Sequence, residues 1–401
     1  VDFGNQPGLL VIPVRGRKSG RCAMFGLTAD RRDPGKLIQA QVIPSDPPGL
    51  YAGWPDHAVT HKEMARLIHE KLDTLVRADD FSGCLTVASR GVTLFHECRG
   101  LAERNFRVPV SSSTKFRVGS IDKMFTAVAI AQLVEAGKLS WNSTLAQLMP
   151  EYPDRQAAAQ ITVWQLLHHT SGLGDIFVPE YFEHREKYLT PADYLGLIAR
   201  QPKVGKPGQQ WSYSNAGFIL LGRIVEDVSG ESYVHYVGQH IFAPAGMTST
   251  GFSSIADVTP ELATGYYHEG LFSTAWKAAW LDDIFMGGPA GGGYSTTTDL
   301  IRFSEALRSG KLVKPVTLGK MFSNEVPAGP GAEAAGFGDR VSHGCHIRGH
   351  AGGIEGTSAD LAIVWEAGAT VAVTSNEGEF RTPIMLAEQI ADLLAMEAKK
   401  P

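Results

Sequence analysis

Apolar residues along the chain switch between a helical and a strand-like period, and the switches outline the fold. Met64, Leu67, Ile68, Leu72 and Leu75 recur at helical spacing and predict a helix over 61–78. Two short β segments follow, 83–89 and 92–98, joined as a hairpin at Arg90-Gly91. The strongest helical pattern runs from about Ser120 to Ala136. Phe125, Val128, Ala129, Gln132, Leu133 and Ala136 mark its inner stripe, and Gly137 supplies its stop. From about 156 to 285 the pattern is mainly helical with aromatic-rich loops. One more helix over 299–308 precedes β runs at 357–366 and 369–375, and an amphipathic helix over 383–396 closes the pattern.

Strands toward both ends with helices between them predict a mixed α/β (α+β) domain. It is built from 61–155 with 286–401 and interrupted by a helical insertion over 156–285. Residues 1–60 differ. Short apolar runs such as Leu9-Leu10-Val11-Ile12 alternate with Gly, Pro and basic clusters, and 45–49 reads as a linker. This stretch is an N-terminal extension or a small β-rich module.

Composition narrows the function classes. The 401 residues are 43% apolar and 20% charged, an ordinary globular balance, and a net charge of -5 gives no reason to expect nucleic acid or an anionic membrane as partner. No apolar run approaches the roughly 18 residues of a membrane span. Four cysteines are too few for a disulfide scaffold. With a two-residue turn at Arg90-Gly91, Cys84 falls opposite Glu97 and Cys98 points to the other face, so all four are expected as reduced thiols. Localisation is left between cytoplasm and periplasm, since a chain beginning at Val1 is compatible with a removed leader.

Three short constellations carry chemistry. Ser120-Ile121-Asp122-Lys123 opens the strongest helix, so serine and lysine share a face about one turn apart, at the positive end of the helix dipole. A serine hydroxyl needs a base, and a lysine desolvated in a pocket loses its proton near neutrality. Tyr213-Ser214-Asn215 lies between the turn at Pro207-Gly208 and an apolar helix. Its phenol is placed to relay a proton and its amide to orient a carbonyl. His350-Ala351-Gly352-Gly353, between two predicted strands, lets a substrate backbone lie close, and the Gly353 N–H with that of Ser120 would form an oxyanion hole. A second Ser-x-x-Lys, Ser112 to Lys115, opens no helix and reads as loop. Gly287–Gly293 reads as a close-packed loop lining the cleft. His343, Cys345, His346 and His350 match no standard zinc spacing, and His168-His169 reads as a helix C-terminal pair. No cofactor or metal is expected. The aromatic stretch Tyr266, Tyr267, Phe272, Trp276, Trp280 and Phe285 is core packing or an apolar acyl pocket.

Ser-x-x-Lys, Tyr-x-Asn and a His-x-Gly triplet, in that order, resemble the three active-site motifs of the penicillin-binding protein and β-lactamase superfamily. The flanking segments 116–120, 166–173, 211–218 and 288–292 resemble it too, over about 80–395. The likeness is closest to the branch of class C β-lactamases, D-alanyl-D-alanine carboxypeptidases, D-aminopeptidases and family VIII esterases. It implies an antiparallel sheet flanked by helices and an acyl-enzyme at Ser120, with Lys123 taking the proton and Tyr213 relaying protons. Asn215, His350, Gly352 and Gly353 would hold a small ester, amide or D-peptide. Class C β-lactamases usually carry Lys-Thr-Gly where this chain has His350-Ala351-Gly352, so the cation that grips a β-lactam carboxylate is missing. A non-catalytic penicillin-binding scaffold and an acyltransferase are the alternatives.

Overall fold

The computed structural model describes residues 9–15, 22–29, 37–45, 53–270, 273–281, 283–323, 325–377 and 381–398. Near the N-terminus, β1 (Leu9–Arg15), β2 (Cys22–Ala29) and β3 (Leu37–Ser45) pair antiparallel in that order. Helix α1 (His61–Arg77) starts where the Thr60 hydroxyl accepts from Glu63 N, and it buries the predicted stripe Met64, Ile68, Leu72 and Leu75. The hairpin β4 (Gly83–Ser89) and β5 (Val92–Arg99) follows. Its turn residues Arg90 and Gly91 both have positive φ, as a tight two-residue hairpin requires.

Six C-terminal strands complete the main sheet: β6 (Val326–Ala328), β7 (Gly331–Ala334), β8 (Phe337–Ser342), β9 (Cys345–Ile354), β10 (Thr357–Val364) and β11 (Ala369–Ser375). The order is β6-β7-β8-β9-β10-β11-β4-β5, antiparallel at every joint, so the two ends of the chain meet at β11 and β4. The period-two pattern sends Val87, Val371 and Val364 to one face, against α1 and the C-terminal helix α5 (Arg381–Ala398). Leu361, Ile363 and Ala372 face the other side, toward α2 (Asp122–Glu135) and α4 (Thr297–Arg308). Helix α3 (Asn215–Ser229) packs on α2 from the far side of the sheet.

Three expectations change. Helix α2 is not one-sided: Met124, Ala127, Ile130 and Ala131 are buried as well as Phe125, Val128, Ala129 and Leu133 of the predicted stripe, because the sheet and α3 enclose it, while Ala136 lies exposed past its end. His350–Gly353 lies inside β9, not between strands. Beyond the Gly338–Gly349 pair, residues 350–354 keep β10 on one edge and no strand on the other among the described residues. Cys84 and Cys98 are not reduced thiols; they form a disulfide. A bulge between Val87 and Ala88 inserts Leu94, and the slipped register sets Cys84 opposite Cys98. Such a bond persists in oxidising compartments. Titration of the denatured, unreduced protein should therefore find two fewer thiols than after reduction, and equal counts would contradict the bond.

Candidate active site

Ser120 sits on a single 3-10 turn, Gly119–Ile121, that runs into α2. The turn lies against β9 so closely that only glycines fit. A Cβ on Gly119 (φ +52°) would stand 2.5 Å from Gly353 N, and one on Gly352 would stand 1.8 Å from Val118 O. The Gly353 N–H and the Ser120 backbone are thereby brought side by side. One turn into the helix, Lys123 is fully buried, and its Nζ donates to Ser120 Oγ at 3.0 Å, to Asn215 Oδ1 at 2.8 Å and to Ala290 O. Burial lowers its ammonium to about 7, against the opposing pull of Asp122, Asp175 and Glu333.

The glycine-rich loop is the wall facing this lysine. Asp122 accepts from Gly293 N at 2.6 Å, Arg117 donates to Gly292 O at 2.6 Å, and Thr126 donates to Pro289 O at 2.7 Å. These bonds aim the Ala290 carbonyl at Lys123. Burial raises the Asp122 carboxyl to about 7.

Tyr213 and Asn215 arrive on the N-terminus of α3, where the Ser214 hydroxyl caps Gly217 N at 3.2 Å. The phenol lines the same cavity as Ser120, and burial pushes it above the usual phenol range. The Asn215 amide is engaged on both sides: Oδ1 accepts from Lys123, and Nδ2 donates to Asp175 at 3.2 Å. His169 does more than end a helix. It stacks on Tyr213 at 4.5 Å, and its Nδ1 accepts from Ser214 N at 3.0 Å, so Nε2 carries the proton, 3.9 Å from Glu333 Oε1. Burial raises the Glu333 carboxyl to about 8 and keeps His169 neutral.

His350 stands 6.1 Å from the Tyr213 ring, and its Nδ1–H donates to Ala351 O, which leaves Nε2 bare. Burial and the nearby Lys123 lower it to about 4, so it is uncharged at neutral pH. The structure thus brings Ser120, Lys123, Tyr213, Asn215, His350, Gly352 and Gly353 together. Ala290 and His169 join them from the cleft-lining loop and from segment 166–173, and Asp175 and Glu333 join without any local sequence signal. The other Ser-x-x-Lys is a turn whose Lys115 Nζ donates outward to Pro260 O at 3.0 Å.

From Ser120 a cavity of about 510 Å³ opens inward between Tyr181, Tyr188, Tyr194, Ile219 and Met286. None of Tyr266, Tyr267, Trp276, Trp280 or Phe285 lines it, and Phe272 lies outside the described residues. Trp276 instead stacks on His268 at 3.7 Å and under Arg104 at 3.8 Å, and Trp280 is exposed. The aromatic wall comes from 176–194, a segment without periodic pattern. Away from the cleft, His346 donates to Asp339 at 2.9 Å beside Glu325. These three could hold a cation, but Arg348 already bonds that Asp339 carboxylate.

The chain is similar to several known proteins. The putative penicillin-binding protein PbpX of Bacillus subtilis (strain 168) is 32% identical over 64% of this chain and 62% of its own length. The chain therefore spans less than two thirds of that relative. Esterase EstB of Burkholderia gladioli is 27% identical over 69% of this chain and 78% of its own. The crystal structure of D-amino acid amidase from Ochrobactrum anthropi SV3, complexed with L-phenylalanine amide, superposes with a TM-score of 0.70. It is 25% identical and covers 84% of this chain and 98% of its own. Residues 68–395 match the Beta-lactamase family, and this chain belongs to it.

Proposed function

We propose that this chain is a serine hydrolase that forms an acyl-enzyme at Ser120 from esters or amides with an apolar acyl group. The observation that carries the reading is a fully buried lysine 3.0 Å from a serine hydroxyl at the mouth of an aromatic-walled cavity. Neutral Lys123 takes the Ser120 proton as Oγ bonds the substrate carbonyl carbon. The oxyanion that forms is held by the Ser120 and Gly353 N–H groups. Tyr213 hands a proton to the departing alcohol or amine as the carbonyl–leaving-group bond breaks, and the Lys123 ammonium restores it. Water then attacks the ester at Ser120, gives its proton back along the same path, and releases the acid. Asn215 holds Lys123 in place. Neutral His350 accepts a hydrogen bond through Nε2 and offers no cation to a carboxylate. EstB and the D-amino acid amidase support the ester or amide class.

The cavity makes a graded prediction. With p-nitrophenyl esters of lengthening linear acids, kcat/KM should rise about fourfold per methylene until the cavity fills, since each buried CH₂ contributes about 0.8 kcal/mol. Ile219→Phe should move the optimum to shorter chains. Turnover of none of these esters would leave a binder without hydrolysis. A preference for acetate, unmoved in Ile219→Phe, would place the acyl group elsewhere.

A further inference from the structure

A second cavity, of about 320 Å³, lies behind the candidate site and shares Tyr213, His350 and Ala351 with the first, but not Ser120. It begins on the α2 face of the sheet, at Tyr213, His350 and Glu333. It then passes the end of β8, where Gly338 and Gly349 pair and present no side chain. It finishes on the α5 face at Asp360, Ile384 and Glu388. The register explains the crossing. His350 pairs with Leu361, which packs toward α2, whereas Ala351 pairs with Asp360, whose side chain therefore points to the opposite face.

We propose that this groove receives the leaving group of the substrate and selects leaving groups that carry a cationic amine over those that carry a carboxylate. The inference rests on the hydrolase reading above. Its position fits, because Tyr213, which hands over the leaving group's proton in that reading, stands where the two cavities meet. Its chemistry is acidic. Asp360 is only 8% exposed, opens on the groove, and meets no hydrogen-bond donor among the described residues. At the other end Glu333, 6% exposed, has an Oε1 without a hydrogen bond, 3.9 Å from His169 Nε2. The one arginine lining the groove, Arg340, is committed to Asp392 at 2.8 Å and to Glu388 O at 3.1 Å. Two buried carboxyls, with no cation hydrogen-bonded to either, make a site that an ammonium completes and a carboxylate aggravates.

Burial and the charge of Glu388 raise the Asp360 carboxyl well above its usual range, with Arg340 opposing. An entering ammonium supplies the missing counter-charge and ionises Asp360.

The test compares three butyrate esters of equal length, with an alkyl, an ω-aminoalkyl and an ω-carboxyalkyl alcohol. The aminoalkyl ester should exceed the alkyl ester by about tenfold in kcat/KM, and the carboxyalkyl ester should fall below both. In Asp360→Asn the amino-to-alkyl ratio should drop toward one, and as a ratio it is insensitive to partial loss of folded protein. A wild-type ratio at or below one, or a ratio that survives in Asp360→Asn, overturns the proposal. Calorimetry separates this from the hydrolase reading, because binding of the free amino alcohol to Ser120→Ala needs no turnover. Binding that disappears when Asp360→Asn is added, in a protein that hydrolyses none of the esters, would keep the cation site and reject the hydrolase. Binding that persists would reject the site.

Discussion

Ser120→Ala should lower kcat/KM for p-nitrophenyl butyrate by about ten-thousandfold or more, with KM little changed. The hydroxyl is the atom that bonds the carbonyl carbon in this reading, and its removal leaves the cavity and the Gly353 N–H intact. Lys123 contacts Ser120, Asn215 and Ala290, so it acts with the serine as one unit. Lys123→Met should therefore cost nearly as much alone, and the double variant scarcely more than either single one. Rapid acid quench of the wild-type protein during turnover, followed by peptide mass mapping, should find the butyryl group on the peptide that contains Ser120. Equal rates in wild type and Ser120→Ala would remove the serine from the chemistry. A label on another residue would move the nucleophile there.

What the sequence made legible was local. Ser120 and Lys123 lie three apart across a 3-10 turn and the helix it runs into, and Tyr213 and Asn215 flank one cap, so spacing alone brings each pair onto a shared surface. The helices 61–77 and 297–308 and the hairpin at Arg90-Gly91 were legible for the same reason, because their periods are complete within one segment. The Cys84–Cys98 bond was not. A single inserted residue, Leu94, reverses which face Cys98 takes, and nothing in Val92–Arg99 announces a bulge. Asp175 and Glu333 were illegible for a different reason. Each reaches Lys123 or Tyr213 from a separate stretch of chain, and a lone acid has no signature until the fold converges. The same holds for Tyr181, Tyr188 and Tyr194, whose wall arises from short turns without period.

The pH dependence of kcat/KM should show one ascending limb with its midpoint near 7, and this identifies the base. Lys123 works as a base only when neutral. Burial makes its folded value fall from the ordinary lysine range to about 7, so the neutral fraction grows tenfold per pH unit below that point and levels off above it. The direction is fixed: activity is lost as pH falls through about 7. Tyr213 cannot supply this limb, because burial pushes its phenol upward and keeps it protonated as a donor at neutral pH. His350, lowered to about 4, and His169, lowered well below its usual value, are already neutral there. Asp122, raised to about 7, and Glu333, raised to about 8, are the competitors, and Asp122→Asn and Glu333→Gln should each leave a limb in place where Lys123 carries it. Tyr213→Phe should lower the rate by about a hundredfold to a thousandfold without removing the limb. A profile flat across neutrality, or a limb lost in Asp122→Asn or Glu333→Gln, would show that another group takes the Ser120 proton.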